Sequence, residues 1–148
     1  KLKSHRSDIA LSSDFITGFP GEEDHDFDQT MNFINNVKFV IAYSFMFSPR
    51  PGTPAAKLKQ VDLKVKKARL NALQALLKKQ QTSYNKSFIN KKIEVLFDRR
   101  GRYVNQYIGR SIYNQSVFIE SNKNLIGTLK EVYIKNSTDF ALEACKHE

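Results

Sequence analysis

The stretch Asp14-Phe15-Ile16-Thr17-Gly18-Phe19-Pro20-Gly21-Glu22 decides how the first half of the chain is read. Phe15, Ile16, Thr17 and Phe19 run straight into a Pro-Gly turn. Behind it crowd Glu22, Glu23, Asp24, Asp26 and Asp28. A buried strand that stops abruptly and hands over to a helix has this pattern, because the first turn of a helix favours acids. In α/β sheets, ligands sit in the loops beyond the carboxyl ends of the strands. Gly18 and Gly21 would let backbone approach a bound molecule. An ordinary strand–turn–helix packing feature shows the same local pattern, so the motif needs support from elsewhere in the chain.

Upstream and downstream residues extend it into an α/β layer. Ile9 to Thr17 reads as the first strand, and a helix over roughly 22–37 follows. Phe27, Met31 and Ile34 form its apolar stripe at i, i+4 and i+7, widened by Phe33 and Val37. Phe39 to Phe47 is a near-continuous apolar run, as in strands covered on both faces. Strand, helix and strand with short joints make a βαβ unit, whose crossover is right-handed. Two strands do not make a stable sheet of that kind alone. Next, Ser48-Pro49-Arg50-Pro51-Gly52-Thr53-Pro54-Ala55-Ala56 forms a stiff irregular loop off the second strand. Arg50, held between two prolines, either meets a carboxylate or phosphate or stands in solvent as a loop arginine.

Residues 61–82 read as a helix, with Leu70, Leu73 and Leu77 on one face, Asp62 as N-cap and Lys78-Lys79 suiting the C-terminal dipole. From Ser83 the period changes. Ile93–Phe97, Tyr103–Ile108, Ser116–Glu120, Leu129–Ile134 and Phe140–Ala144 are five short strand-like runs, and that density points to a small antiparallel barrel. Gly101, Gly109 and Gly127 are expected at bends or bulges. Arg99, Arg100, Arg102 and Arg110 interleave with Tyr103, Tyr107, Tyr113 and Phe118. Nucleobases stack on such rings while guanidiniums hold phosphates. Core aromatics with scattered surface arginines would read the same.

Composition narrows the classes. The chain has 148 residues, 41% hydrophobic and 11% aromatic, enough for one medium domain or two small ones. No apolar run approaches the roughly 20 residues of a membrane span, so no membrane partner is expected. A single cysteine, Cys145, rules out an internal disulfide and fits a cytoplasmic protein. His5, His25 and His147 are isolated, and with one Cys they make no metal-ligand spacing. No phosphate-loop or Ser-His-Asp pattern occurs. The net charge of +9 is uneven: residues 1–60 hold seven bases and seven acids, and residues 61–148 hold 17 and eight. The second part is therefore expected to face a polyanion.

Taken together, Asp14–Glu22 and Ala42-Tyr43-Ser44-Phe45-Met46-Phe47-Ser48-Pro49-Arg50-Pro51-Gly52-Thr53-Pro54-Ala55-Ala56 resemble the late strands of the radical S-adenosylmethionine methylthiotransferases. The Ser-Pro-Arg-Pro-Gly-Thr-Pro form is most similar to the tRNA-modifying (MiaB) type, and the C-terminal run resembles the TRAM domain, an OB-like RNA-binding barrel. The resemblance covers essentially the whole chain. It implies the last βαβ of a radical-SAM partial TIM barrel with a linking helix over 1–82, and a TRAM domain over 83–148. The implied reaction converts N6-isopentenyladenosine beside the anticodon to its 2-methylthio derivative. Its cofactors would be S-adenosylmethionine and 4Fe–4S clusters. Ile16, Thr17 and Gly18 would line the cofactor's adenosine, with Arg50 nearby. Arg99, Arg100, Arg102, Tyr103, Arg110 and Phe118 would bind RNA, specifically the anticodon arm of tRNA. The cluster-binding cysteines of the family are absent from this chain, and iron–sulfur clusters need thiolates. Alone, it is expected to be catalytically inactive, its missing partner being an N-terminal half; the lack of an initiator Met accords with a fragment. A non-catalytic RNA-binding fragment and a methylthiotransferase of other substrate are the competing readings.

Overall fold

The computed structural model describes residues 1–145; His147 lies outside them. The chain divides into two compact units, one of residues 10–80 and one of residues 1–9 with those from 81 onward.

The first unit is built on strands β1 (Ser12–Thr17) and β2 (Ile41–Met46), which pair in parallel across helix α2 (Asp24–Val37). Helix α1 is the short turn Leu2–His5, which belongs to the other unit. Helix α2 starts in a capping box: Glu23 receives the N3 backbone N–H, and the Asp26 carboxylate receives the N–H of Glu23 at 2.9 Å. Helix α3 (Leu63–Lys86) begins at Asp62, whose carboxylate accepts the Lys64 N–H at 2.8 Å. It is longer than its apolar periodicity predicts. Ile34, Phe39, Leu73 and Leu77 form the buried centre of this unit.

Three expectations need correction here. Strand β1 starts at Ser12, not Ile9, and β2 spans only Ile41–Met46. Phe33 is exposed on α2 instead of widening the buried stripe. Above all, the β1–β2 pair is covered on one face only: Ile16, Tyr43 and Phe45 are 61%, 63% and 55% exposed on the other. The apolar run cannot distinguish these cases, because it records what a strand could bury and not what covers it.

The second unit is a closed barrel of β3 (Lys92–Arg100), β4 (Gln106–Ser111), β5 (Ser116–Glu120), β6 (Thr128–Ser137) and β7 (Ala141–Cys145), in the order β3-β4-β5-β7-β6. Alternation decides its inside. Val95, Phe97, Val117, Ile134 and Leu142 are fully buried, while their strand neighbours face out. The barrel is OB-like and mixed, not wholly antiparallel: β5 and β7 run parallel, with Val117 opposite Leu142. Its bulges fall at Asp98 and Lys135, where the pairing slips, while Gly127 stands, as expected, at a bend, the positive-φ turn leading into β6. Gly109 serves close packing instead, since a Cβ there would collide with the Leu96 carbonyl oxygen. The final turn of α3 is tied into the barrel unit by a buried polar chain. Asn85 donates to the carbonyls of Thr138 and Asp139 and accepts from Gln115 Nε2 at 2.9 Å; Thr82 donates to Asp139.

Candidate functional site

Two places carry the candidate residues, one in each unit. In the first, both loops that follow the parallel strands contain the same device. Phe19-Pro20-Gly21-Glu22 and Arg50-Pro51-Gly52-Thr53 are turns closed by N–H donation from the fourth residue to the first carbonyl, at 2.9 and 3.2 Å. Gly21 and Gly52 have φ of +90° and +84°. Proline at the second position and a positive-φ glycine at the third define a type II turn.

The first turn returns Glu22 to the end of β1, where it organises the strand terminus. The Thr17 hydroxyl donates to Glu22 Oε1 at 3.2 Å, and the Gly18 N–H donates to Oε2 at 2.8 Å. Arg69 of α3 donates from Nη1 to Oε1 at 2.8 Å and from Nη2 to Asp24 at 2.7 Å. Burial works against the Arg69 cation, but its hydrogen bonds to Asp24 and Glu22 outweigh this and raise its pKa. Lys66, one helical turn away and also buried, reaches the Phe47 carbonyl and Gln60 Oε1, both at 3.4 Å. Its stem occupies the space a Gly18 side chain would need, with a Cβ there 2.5 Å from Lys66 Cγ.

Of the three residues matched to the adenosine, then, Thr17 and Gly18 are buried and spend their donors on Glu22. Only Ile16 presents free surface, on the uncovered face beside Phe45. Arg50 stands exposed in the second turn, and its guanidinium makes no hydrogen bond or ion pair among the described residues. Sequence reasoning missed Lys66 and Arg69. The signal was present: with Leu73, Leu77 and Gln80 they fall on the buried side of one helix, and charged residues there demand partners.

On the barrel, the six candidates for RNA do not form one surface. Arg99, Arg100, Arg102 and Tyr103 gather where β3 turns into β4, and Tyr103 is 66% exposed. Arg99 is shared with Asp98 at 3.0 Å, and Arg100 lies over the Tyr107 ring at 5.6 Å. Arg110 sits at the opposite end of β4, donating to the Asn114 carbonyl at 3.2 Å. Phe118 is half-buried on β5, across from Ile108 and Glu143. Its groove also contains Glu120 and Lys135, a carboxylate-rich setting for phosphate. Two other aromatics of the pattern are not free platforms. Tyr107 is only 3% exposed inside the barrel, and Tyr113 packs on Phe88 and Tyr84. Cys145 is a free thiol, half-buried on β7. Among the described residues no group of three or more His, Cys, Asp or Glu could hold a metal ion, and no helix is long and apolar enough to cross a membrane.

Charge is distributed more sharply than the division at residue 60 reveals. Residues 63–93 hold nine Lys and Arg and no Asp or Glu; residues 94–148 hold eight and seven. The barrel strands are close to neutral, and the excess sits on α3 and the segment leading out of it.

Comparison with known proteins sets these sites in a family. Over 140 residues the chain is 46% identical to a tRNA-2-methylthio-N(6)-dimethylallyladenosine synthase of Rickettsia akari, covering 93% of this chain. The enzyme of that name from Rickettsia felis is 45% identical over 144 residues, or 96% of the chain. One from Rickettsia bellii is 48% identical over 136 residues, or 90%. The chain belongs to this family. It spans about a third of the length of these curated relatives, 32%, 32% and 30% respectively. No protein-family model matches it. At 96% of the chain the similarity reaches over both turn motifs and most of the barrel.

Proposed function

We propose that this chain works as the substrate-gripping part of a tRNA methylthiotransferase, its barrel a TRAM domain that holds tRNA near the anticodon. The observation that carries this reading is the closed OB-like barrel displaying Arg99, Arg100, Arg102 and Tyr103 at one hairpin. Such barrels bind nucleic acid through a strand face and the neighbouring loops. The reaction class is that of the related synthases.

The α/β unit would add the last strands of a radical-SAM barrel. S-adenosylmethionine, when bound, supplies the radical and the methyl group. Ile16 would offer apolar surface to its adenine, and Glu22 would hold Thr17 and Gly18 in the shape that places Ile16 there. Arg50 would reach an anionic group of cofactor or RNA. The 4Fe–4S clusters do not fit these residues: one cysteine provides one thiolate. They belong to the part of the enzyme beyond this chain, and cytoplasmic action on tRNA follows from the same reading. The product would be the 2-methylthio derivative of N6-isopentenyladenosine.

A chimera tests this. The matching third of the Rickettsia akari enzyme is replaced by this chain, and tRNA from cells that lack their own enzyme is digested for nucleoside mass spectrometry. Appearance of the 2-methylthio nucleoside is expected. A folded chimera that binds tRNA yet leaves the isopentenylated adenosine unmodified would favour another substrate.

A further inference from the structure

We propose that the solvent face of α3 is a phosphate-binding rail for RNA, and that it, more than the barrel, supplies the electrostatic grip. The inference rests on the tRNA reading above and names the surface that performs it.

The helix face is defined by burial. Lys66, Arg69, Leu73 and Leu77 point inward, whereas Lys64, Lys67, Asn71, Gln74, Lys78 and Lys79 are exposed. At about 100° per residue these six fall within one arc of about 140°, and a rise of about 1.5 Å per residue puts Lys64 and Lys78 about 21 Å apart. Ala68, Ala72 and Ala75, also exposed, lie between them. The rail therefore presents lysines at both ends, amide donors in the middle, and small residues over which a sugar–phosphate backbone can approach closely.

Like charges on neighbouring positions of a helix face are destabilising, and solvated helices ordinarily relieve this with acids three or four residues away. Residues 63–93 contain none. Where the helix buries a cation it provides partners: Arg69 has Glu22 and Asp24, and Lys66 has a carbonyl and an amide oxygen. On the outer face, Lys64, Lys67 and Lys79 form no ion pair among the described residues. A helix that pairs its inner cations and leaves Lys64, Lys67 and Lys79 without acids among the described residues is suited to a partner that brings the anions. A membrane surface is the poorer match: exposed Leu63 and Val65 stand only at the N-terminal end, the positions between the lysines are alanine, asparagine and glutamine, and binding there needs a whole face of large apolar side chains.

The test measures binding of the intact 148-residue chain to unmodified tRNA across a salt series. Lys64, Lys67, Lys78 and Lys79 are changed together to Gln, which keeps helix propensity while removing charge. Circular dichroism confirms the fold, and Arg99, Arg100 and Arg102 changed together to Ala serve as the barrel comparison. The helix variant is expected to bind about tenfold or more weakly near physiological salt. The slope of log affinity against log salt should flatten by roughly 0.7 to 0.9 for each lysine that contacts phosphate. The barrel variant should change the slope less. If wild type binds tRNA and the helix variant keeps its slope, the rail is overturned while the tRNA reading stands. If wild type fails to bind tRNA, the reading itself fails. Stronger binding to vesicles containing anionic lipid than to tRNA, lost in the helix variant, would overturn the rail in favour of a membrane surface.

Discussion

In the barrel every strand has two hydrogen-bonded neighbours, whereas among the described residues β1 and β2 have only each other. The barrel buries a core of Val95, Phe97, Val117, Ile134 and Leu142 on a surface that closes on itself. The α/β unit gathers Ile34, Phe39, Leu73 and Leu77 into a core on one side of its sheet and leaves Ile16, Tyr43 and Phe45 open on the other. The barrel strands alternate apolar with polar residues, whereas β2 is apolar almost throughout. The difference is closure: a barrel satisfies its own edges, and a two-strand pair depends on further strands or covering elements.

The sharpest way to break that comparison is to damage each core in turn. Phe97→Ala removes a fully buried ring from the barrel and should cost about 3–5 kcal/mol. Hydrogen exchange resolved along the chain should show the loss confined to residues 92–145. Leu73→Ala, equally buried, should act on residues 10–80 and leave the barrel's protection intact. If both substitutions deprotect the whole chain equally, the two units fold as one and the contrast drawn here fails.

A smaller effect comes from the ion cluster that holds the end of β1. Arg69→Met leaves Glu22 with only the Thr17 hydroxyl and the Gly18 N–H as donors. Stranding one member of a buried pair is strongly destabilising, here about 3 kcal/mol because Glu22 keeps those two partners. Asp24→Asn should cost under about 1 kcal/mol, since the Asp24 side chain is 96% exposed. Urea denaturation of the three proteins separates the values. An equal loss for both would mean that Asp24, and not Glu22, carries the contact.

The legible parts of this molecule were those that local chemistry dictates. The Pro20-Gly21 turn, the Asp62 cap and the Ser116–Glu120 strand follow from residues in immediate sequence, and they appear as read; the Pro51-Gly52 stretch, expected as an irregular loop, holds a regular turn. Phe33 and Tyr107 did not follow, because the exposure of a ring depends on what packs against it from a distance. Arg110 fell outside the arginine cluster for a related reason. A strand carries residues eight apart in the chain, such as Arg102 and Arg110, to opposite ends of the barrel, so interleaving in sequence is not adjacency on a surface. Lys66 and Arg69 were hidden differently: in a run of basic residues, buried cations look like solvated ones. The same blindness spread the net charge over the whole second half, when α3 and its exit hold nearly all of it.

Arg50 and Arg69 make the finest comparison, two arginines serving the loops that follow the two parallel strands. Arg69 is buried and partnered, so its loss is felt in stability. Arg50 is exposed, and what fixes its loop is backbone: the Arg50 carbonyl accepts from the Thr53 N–H at 3.2 Å and the Thr53 hydroxyl at 2.8 Å. Pro51 and Gly52 set the turn dihedrals. None of this uses the guanidinium. Arg50→Ala should therefore shift unfolding by no more than about 0.5 kcal/mol, the usual limit for an exposed substitution. In the chimeric enzyme it should lower the yield of 2-methylthio nucleoside, because a stiff turn holds that cation out toward solvent. Arg50→Lys should restore part of the yield if charge alone is needed, and little if the planar fork is. A stability loss approaching that of Arg69→Met, with the yield unchanged, would make Arg50 a second structural pin and leave the cofactor side of this loop without its cation.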